Sequence, residues 1–168
     1  STVATYAYDT NGNRLSYTGR DRTLAGVYDT QDRLLQYGPT TYTYTASGEL
    51  QRKTAGVAVS SYEYDALGNL RAATLPNGTQ IEYVIDGRNR RVGKKVNGTL
   101  AQGFLYEGDL RPVVELDGSG QITARFIYGM RSNVPEYMLK GGKTYRLVTD
   151  HLGSPRLVID TATGHIAQ

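Results

Sequence analysis

The sequence contains no cysteine and no tryptophan, and it has two histidines and two methionines among its 168 residues. Without cysteine the chain forms no disulfide and offers no thiolate to a substrate or a metal, so composition leaves the redox compartment open. Two histidines make a zinc site only with the help of carboxylates. These shortages exclude disulfide scaffolds and thiol enzymes, and we predict neither a metal nor a cofactor.

Long apolar stretches are also missing. No run approaches the roughly 20 apolar residues that span a bilayer, and no basic segment followed by an apolar one opens the chain as a signal sequence would. No window of about 12 residues carries a clear helical period in its apolar positions. We therefore expect no membrane span and almost no helix.

The sequence is instead rich in tyrosine and glycine, with 14 and 20 copies. Seven tyrosines, spaced by 16 to 23 residues, each end a short β-like run and lead into a turn: Tyr8, Tyr28, Tyr44, Tyr64, Tyr83, Tyr106 and Tyr128. A recurring period near 20 residues is typical of repeat architectures, in which each unit buries its face against its neighbours. It favours a structural surface over one compact catalytic pocket.

The turns after these anchors share their chemistry. Aspartate follows tyrosine at Tyr8-Asp9, Tyr28-Asp29 and Tyr64-Asp65, where its carboxylate can accept a backbone N–H bond. The fourth residue after the anchor is Gly12, Gly48, Gly68 or Gly87, or Asp32 in the second unit. We predict a positive φ at these glycines, because glycine adopts that conformation without steric cost.

The runs before the anchors alternate. Aromatic or apolar residues stand at i and i+2 in Tyr6/Tyr8, Tyr42/Tyr44, Tyr62/Tyr64, Ile81/Tyr83, Phe104/Tyr106 and Phe126/Tyr128. Such pairs point to one face of a strand. The residues between them are small or polar except Leu105 and Ile127, which predict strands covered on both faces. The fold class is all-β, with tandem antiparallel hairpins, and stacked hairpins would align the tyrosines in a column.

At this point the sequence resembles a known family. The Tyr-Asp-x-x-Gly-Asn units are similar to the YD repeats of Rhs proteins, of the Tc toxin C component and of teneurins. Asp150-His151-Leu152-Gly153-Ser154-Pro155-Arg156 resembles the opening of the Rhs repeat-associated core. The resemblance implies a spiralling sheet that forms a hollow shell. The positions that carry it are Tyr8, Asp9, Gly12, Tyr28, Asp29, Tyr44, Gly48, Tyr64, Asp65, Gly68, Tyr83, Gly87, Asp150, His151, Gly153, Pro155 and Arg156.

The resemblance also implies two segments, a YD-repeat array over 1–145 and the start of the core over 146–168, in one continuous sheet. Bacterial relatives continue to a self-cleavage motif that begins Asp-Pro, and no Asp-Pro dipeptide occurs here. Self-cleavage is therefore assigned to no residue. Both ends are expected to interrupt the repeat, so the expected partners are further shell segments of a longer polypeptide and an enclosed toxin domain.

Several groupings suggest other chemistry. Asp150, His151 and Ser154 are triad residue types, but residues so close in sequence rarely converge, and a turn bonded to backbone is favoured. Gly141-Gly142-Lys143-Thr144 lacks the first glycine of a phosphate loop and predicts a hairpin tip. The basic cluster over 88–95 lacks interleaved aromatics, so nucleic acid is not an expected partner.

The sequence thus predicts a non-enzymatic segment of a YD-repeat shell. By resemblance to bacterial members, it would belong to a secreted or cell-surface toxin and enclose the C-terminal toxic domain. Two alternatives stay open. One is an extracellular adhesion scaffold that binds carbohydrate or protein through its tyrosines, and the other is self-association through open sheet edges.

Overall fold

The structure, a computed structural model, describes residues 3–168. Among these residues all regular structure is β-strand, joined by turns, and no helix occurs. The strands divide between two compact units, Ser1–Gln80 and Ile81–Gln168. The all-β fold of antiparallel hairpins is therefore confirmed. The expected division into segments 1–145 and 146–168 was based on the family resemblance. The two compact units do not test it, and it stays a prediction.

The first unit contains eight strands: β1 (Ala4–Tyr8), β2 (Arg14–Gly19), β3 (Thr23–Tyr28), β4 (Leu34–Tyr37), β5 (Thr40–Tyr44), β6 (Leu50–Ala55), β7 (Ala58–Tyr64) and β8 (Leu70–Thr74). Within this unit each strand pairs antiparallel with the one that follows it, from β1–β2 to β7–β8. This order follows from short turns, because consecutive strands joined by two to five residues have no room for any other arrangement.

The remaining strands lie in the second unit, except for the first residue of β9: β9 (Gln80–Ile85), β10 (Arg91–Val96), β11 (Thr99–Glu107), β12 (Arg111–Asp117), β13 (Ile122–Tyr128), β14 (Pro135–Lys140), β15 (Lys143–Thr149) and β16 (Pro155–Asp160). They pair in chain order as well. Residues after β16 turn back onto it, through the bridge between Ile159 and Ile166 and the Ala167 N to Val158 O bond of 2.7 Å.

A register shift recurs where the first strand of a hairpin meets its turn. Tyr8 pairs with Arg14, Tyr28 with Leu34 and Tyr44 with Leu50, each directly after the shift. The extra residue on the returning strand makes a β-bulge, which increases local twist. The tyrosine anchor is thus the last paired residue before the turn in these hairpins.

The alternation predicted for the early strands is present in β5 and β7, but in β1 and β9 the residue between the paired positions is as exposed or as half-buried as its neighbours. In β5 the half-buried Tyr42 and Tyr44 flank the exposed Thr43, and in β7 Tyr62 and Tyr64 flank the exposed Glu63. The prediction for Leu105 and Ile127 is wrong. Their side chains are 51% and 44% exposed, because no second layer covers that face of β11 and β13 in the second unit.

Burial in the described chain is slight. The buried hydrophobic residues are Ala73, Ala124 and Leu147, and the buried charged residue is Asp160. The accessible surface is 11280 Å², against roughly 8,200 Å² for a compact protein of this mass. Stability must therefore come from half-buried faces and from the hairpins themselves.

Candidate functional site: the aspartate turns and their tyrosine contacts

One turn geometry recurs at the hairpins. In the first hairpin the Asp9 N–H donates to the Asn13 carbonyl at 3.0 Å, and the Gly12 N–H donates to the Asp9 carbonyl at 3.2 Å. Asp9 Oδ1 accepts from the N–H groups of Asn11 and Asn13 at 3.0 and 2.8 Å. We call this five-residue arrangement an aspartate turn, since one carboxylate oxygen binds the backbone two and four residues on.

The aspartate turn occurs six times in the described chain. In every copy Oδ1 accepts from the two backbone N–H groups at 2.8 to 3.0 Å; the first residues are Asp9, Asp29, Asp65, Asp86, Asp117 and Asp150. Thr45 builds a seventh variant, in which its hydroxyl accepts from the Glu49 N–H at 3.1 Å and bonds the Glu49 carboxylate. Sequence reasoning missed that 117–121 and 150–154 are copies.

The fourth position of the turn has a positive φ. Gly12, Gly48 and Gly68 have φ of 87°, 99° and 80°, as predicted, and Asp32, at the same position of its turn, has φ of 61°. Gly87 does not have a positive φ, so the prediction for this residue is wrong.

The reason is a shift of frame. Strand β9 continues two residues past Tyr83 to Ile85, so the turn begins at Asp86. Asn89, with φ of 65°, then takes the fourth position, a conformation that asparagine tolerates better than most residues. The signal that finds every aspartate turn is therefore aspartate three residues before Gly, Asn or Asp, independent of tyrosine.

The second carboxylate oxygen holds the side chain at the end of the turn. Asp29 Oδ2 accepts from Arg33 Nε at 2.7 Å, and Asp86 Oδ2 accepts from Arg90 Nε at 2.8 Å. The side-chain bond from Arg90 is the largest cause that lowers the pKa of Asp86. In the Asp29 turn the backbone bond from Arg33 is the largest cause of the lowered pKa.

Four of the tyrosine anchors connect their hairpin to the preceding one. The Tyr44 hydroxyl donates to the Leu34 carbonyl at 2.8 Å, and the Tyr106 hydroxyl to the Arg91 carbonyl at 2.9 Å. The same bond links Tyr28 to Arg14 and Tyr128 to Pro112. Each acceptor lies at the start of the neighbouring hairpin's returning strand, so the phenol bridges one repeat to the next and its polar end is satisfied.

Arginine side chains lie on the rings of these anchors. The Arg33 guanidinium is 5.4 Å from the Tyr44 ring centre, and the Arg90 guanidinium is 5.1 Å from the Tyr106 ring centre. Arg33 and Arg90 are the residues held by Asp29 and Asp86, so carboxylate, guanidinium and ring form one chain of contacts. The close ring pair of the described chain is Tyr6–Tyr17, at 5.3 Å; neither ring belongs to a predicted anchor, and the tyrosine column stays a prediction.

The other predicted anchors have different surroundings. Tyr8 lies on β1 with its side chain 58% exposed. Tyr64 is half-buried beside its partner Leu70, and burial raises the pKa of its hydroxyl. The Tyr83 ring lies 4.0 Å from the Arg91 guanidinium.

Neighbouring turns also contact each other. In the first unit Asp32 Oδ1 accepts from the side-chain amides of Asn11 and Asn13 at 2.9 and 2.6 Å. In the second unit Arg90 donates to the Gly108 carbonyl at 2.6 Å. Asp32 has a positive φ, a conformation that favours glycine. Unlike glycine, its side chain accepts two hydrogen bonds from the preceding repeat.

The 150–156 segment is a structural turn. Both oxygens of Asp150 are engaged, Oδ1 by the backbone of Leu152 and Ser154 and Oδ2 by Arg156 at 2.8 Å. The bond from the Ser154 N–H is the largest cause that lowers the pKa of Asp150. His151 is exposed. The carboxylate thus binds backbone and arginine, the arrangement predicted for a turn rather than for a triad.

Two residues of this segment fix the position of the turn. Gly153 has φ of 87°, and a Cβ at this position would lie 2.8 Å from Val134 Cγ2. Pro155 begins β16 opposite Thr149. Glycine is thus required here both for conformation and for close approach.

The remaining candidates also have structural roles. Gly141 and Gly142 form the two-residue tip between β14 and β15, both with positive φ. The basic cluster is divided among different partners, with Arg88 beside Asp109, Arg91 on Tyr83 and Lys95 beside Glu82. Residues 3–168 contain no group of three acidic, histidine or cysteine side chains placed to hold a metal.

The sequence profile of the teneurin YD-shell family matches residues 1–168. The chain belongs to this family. No curated protein is similar enough in sequence to count as a relative. Among solved structures the YD-shell chain is similar to the crystal structure of TcdB2-TccC3, with a TM-score of 0.58, 11% identity and 94% of this chain covered.

A crystal structure titled TcdB2-TccC3-TEV and another titled TcdB2-TccC3-Cdc42 give TM-scores of 0.50, with 11% and 12% identity and 96% of this chain covered. The chain spans only 11 to 12% of the length of these three relatives. At such identity the likeness shows the fold alone. No helix among residues 3–168 is long and apolar enough to cross a membrane.

Proposed function

We propose that this chain is a non-enzymatic wall segment of a YD shell that encloses the C-terminal toxic domain of a secreted or cell-surface bacterial toxin. The observation that carries the proposal is the repetition itself. Six turns use the same carboxylate geometry, and four tyrosines make the same bond to the preceding hairpin. Contacts of this kind join successive repeats into a wall. They recur along the chain and do not mark any one position as an active or binding site.

Residues 146–168 support this reading as a continuation of the array. The Asp150 turn has the same bonds as the Asp9 turn, and β16 pairs with β15 as any other hairpin does. We therefore propose that the core segment extends the wall. Its partners would be the remaining shell segments and the enclosed domain.

The adhesion alternative would need aromatic faces that are free to stack on a sugar. Guanidinium groups already lie on several of those faces, including the rings of Tyr37, Tyr44 and Tyr106. Glycan stacking would have to displace these contacts, so the arrangement favours enclosure over carbohydrate binding.

Light scattering and a glycan array on one preparation of the chain test the proposal. Unpaired N–H and C=O groups on an edge strand can pair with a strand of another copy. We therefore expect oligomers, and we expect no signal on the glycan array. A monodisperse monomer that binds one glycan, with binding lost in Tyr6→Ala or Tyr8→Ala, would establish the scaffold reading instead. Both tyrosines are exposed, so these variants leave the half-buried anchors intact.

Protease protection tests enclosure in the longer polypeptide that the proposal implies. A downstream domain inside a closed wall should resist limited proteolysis under native conditions. Gly68→Val, which strains one wall turn, should increase its cleavage, whereas Gly87→Ala should not. A downstream domain that is cleaved equally fast with and without the wall would refute enclosure.

A further inference from the structure

We propose that the cleft between the turns at 45–49 and 65–69 binds a guanidinium group that this chain does not itself supply. Three tyrosine anchors carry an arginine of the preceding hairpin on their ring, whereas the anchor Tyr64 has Glu49 in that place. The cleft therefore presents an aromatic ring beside a carboxylate, and both groups attract a cation.

The hydroxyl bonds of the anchors define the position. These hydroxyls donate to backbone carbonyls of the preceding hairpin; the donors are Tyr44, Tyr106 and Tyr128, and the acceptors are Leu34, Arg91 and Pro112. The residue directly before each acceptor is an arginine, whose guanidinium lies 5.4, 5.1 or 5.9 Å from the centre of the anchor ring. A guanidinium therefore covers the ring in three of these contacts between hairpins.

The hairpin before Tyr64 has the same frame and the opposite charge. Leu50 pairs with the preceding anchor, Tyr44, directly after a register shift, which is the place that Leu34 has one hairpin earlier. The residue directly before Leu50 is Glu49. Within residues 3–168 no guanidinium lies on the Tyr64 ring.

Glu49 and Tyr64 line one open cleft with a volume of about 630 Å³, and none of the described residues that line it is a lysine or an arginine. Glu49 Oε2 bonds the Thr45 hydroxyl. Glu49 Oε1 lies toward the next turn, 3.6 Å from where a Cβ on Gly68 would stand. A carboxylate has about four lone-pair sites, so the bond to Thr45 leaves it able to accept from a further donor.

Two other carboxylates border the cleft without facing a ligand in it. Asp65 already uses both oxygens within its own turn. Glu63 lies between Tyr62 and Tyr64 on β7, and successive side chains of a strand point to opposite faces. Recognition therefore depends on Glu49 and the Tyr64 ring. A planar guanidinium can stack on a ring while it donates two bonds to a carboxylate, so it fits this pair better than an ammonium does.

Ligand-observed NMR on the full chain tests the proposal, because it detects weak binding whatever the size of the oligomer. The probes are N-acetyl-arginine amide and the matching citrulline amide, which has nearly the same shape and no charge. The arginine probe should bind saturably and about tenfold more tightly than the citrulline probe, the combined effect of a cation–ring contact and a charged hydrogen bond. A short peptide with one arginine among neutral residues distinguishes the source of the group. Tighter binding of the peptide would indicate a partner chain, and equal binding a free arginine derivative.

Two variants at one position provide the decisive comparison. Glu49→Arg places a guanidinium of the chain itself on the ring, as in the other hairpins, and should abolish binding without lowering the urea midpoint of unfolding. Glu49→Gln keeps the shape, removes the charge and should reduce binding of the arginine probe to the level of the citrulline probe. Glu107→Gln, at an exposed glutamate of the second unit, is the control and should bind as the wild type does. Equal binding of the two probes, or unchanged binding of the arginine probe in Glu49→Gln, would overturn the proposal.

Discussion

Single aspartates close the hairpins of this chain by satisfying backbone donors that a turn would otherwise leave to water. In the Asp65 turn one carboxylate oxygen accepts from the N–H groups of Leu67 and Asn69, both at 2.9 Å, and the other accepts from the Asn69 amide at 2.9 Å. Charged acceptors make the stronger hydrogen bonds. The residue therefore matters through its position and its charge together.

At this scale we expect Asp65→Ala to lower the urea midpoint of unfolding, because two turn N–H groups lose their partner. Asp65→Asn keeps an acceptor without the charge and should fall between the wild type and the alanine variant. Asp21→Ala, at an exposed turn residue, is the control and should leave the midpoint unchanged. Equal shifts for Asp65→Ala and Asp21→Ala would contradict the role of the aspartate turn.

Glycine provides a second residue-scale prediction, with its control within the chain. Gly68 has φ of 80°, whereas Gly87 has an ordinary φ and open space around it. Gly68→Ala should cost about 1 kcal/mol of unfolding free energy from backbone strain. Gly87→Ala should be neutral, or stabilising by about 0.4–1 kcal/mol through the unfolded chain. Chemical denaturation of the two variants measures both, and a cost at Gly87 as large as that at Gly68 would refute the shifted frame.

At the scale of elements, the connection between hairpins depends on one phenol and one guanidinium. The Tyr44 ring packs on the half-buried face of β5, its hydroxyl reaches β4, and the guanidinium of Arg33 covers the ring. Burial is the largest cause that raises the pKa of the Tyr44 hydroxyl. Neighbouring hairpins are thus joined by side chains as well as by backbone pairing.

Tyr44→Phe should cost about 1 kcal/mol of unfolding free energy, the net value of one hydrogen bond. Tyr44→Ala should cost about 3 kcal/mol, as for other large aromatic truncations. Tyr137 lies outside the repeat frame, and Tyr137→Phe and Tyr137→Ala should cost less than their counterparts at Tyr44. Denaturant unfolding of the four variants decides, and equal losses at the two tyrosines would argue against the repeat-linking role.

The strands and most turns could be predicted from the sequence because they depend on local chemistry. A strand can be predicted from a few alternating residues, as in Tyr42-Thr43-Tyr44. A turn can be predicted from a single glycine, as at Gly12 or Gly68. The position of the turn after Tyr83 could not be predicted in this way. It begins two residues later because β9 extends to Ile85, which pairs with Arg91 on the next strand. The exposure of Leu105 also escaped prediction, since alternation does not tell whether a second layer covers a face. The Arg33–Tyr44 contact joins separate hairpins and leaves no signal in either alone.

At the scale of the whole molecule, the carboxyl groups of the aspartate turns share one electrostatic property. Hydrogen bonds lower the pKa of each of the six carboxyls from the ordinary value of 3.8; the residues are Asp9, Asp29, Asp65, Asp86, Asp117 and Asp150. For a carboxyl with a lowered folded pKa, the stabilisation is fully present above the ordinary value and is lost as pH falls through the folded value. These six carboxyls should therefore add little pH dependence to the stability of the fold at pH values above their ordinary pKa.

We therefore expect the urea midpoint to show little dependence on these carboxyls from neutral pH down to about pH 5, and to fall steeply below about pH 4 as they protonate. Replacing one of them, as in Asp65→Asn, removes a titrating group and should reduce the acid slope as well as the midpoint at neutral pH. Asp21→Asn should leave the midpoint at neutral pH unchanged. A midpoint that falls between neutral pH and pH 5 equally in the wild type and in Asp65→Asn would show that other groups control acid unfolding. Acid stability would then come from outside the turns, and the repeated carboxylate would have to be explained by turn geometry alone.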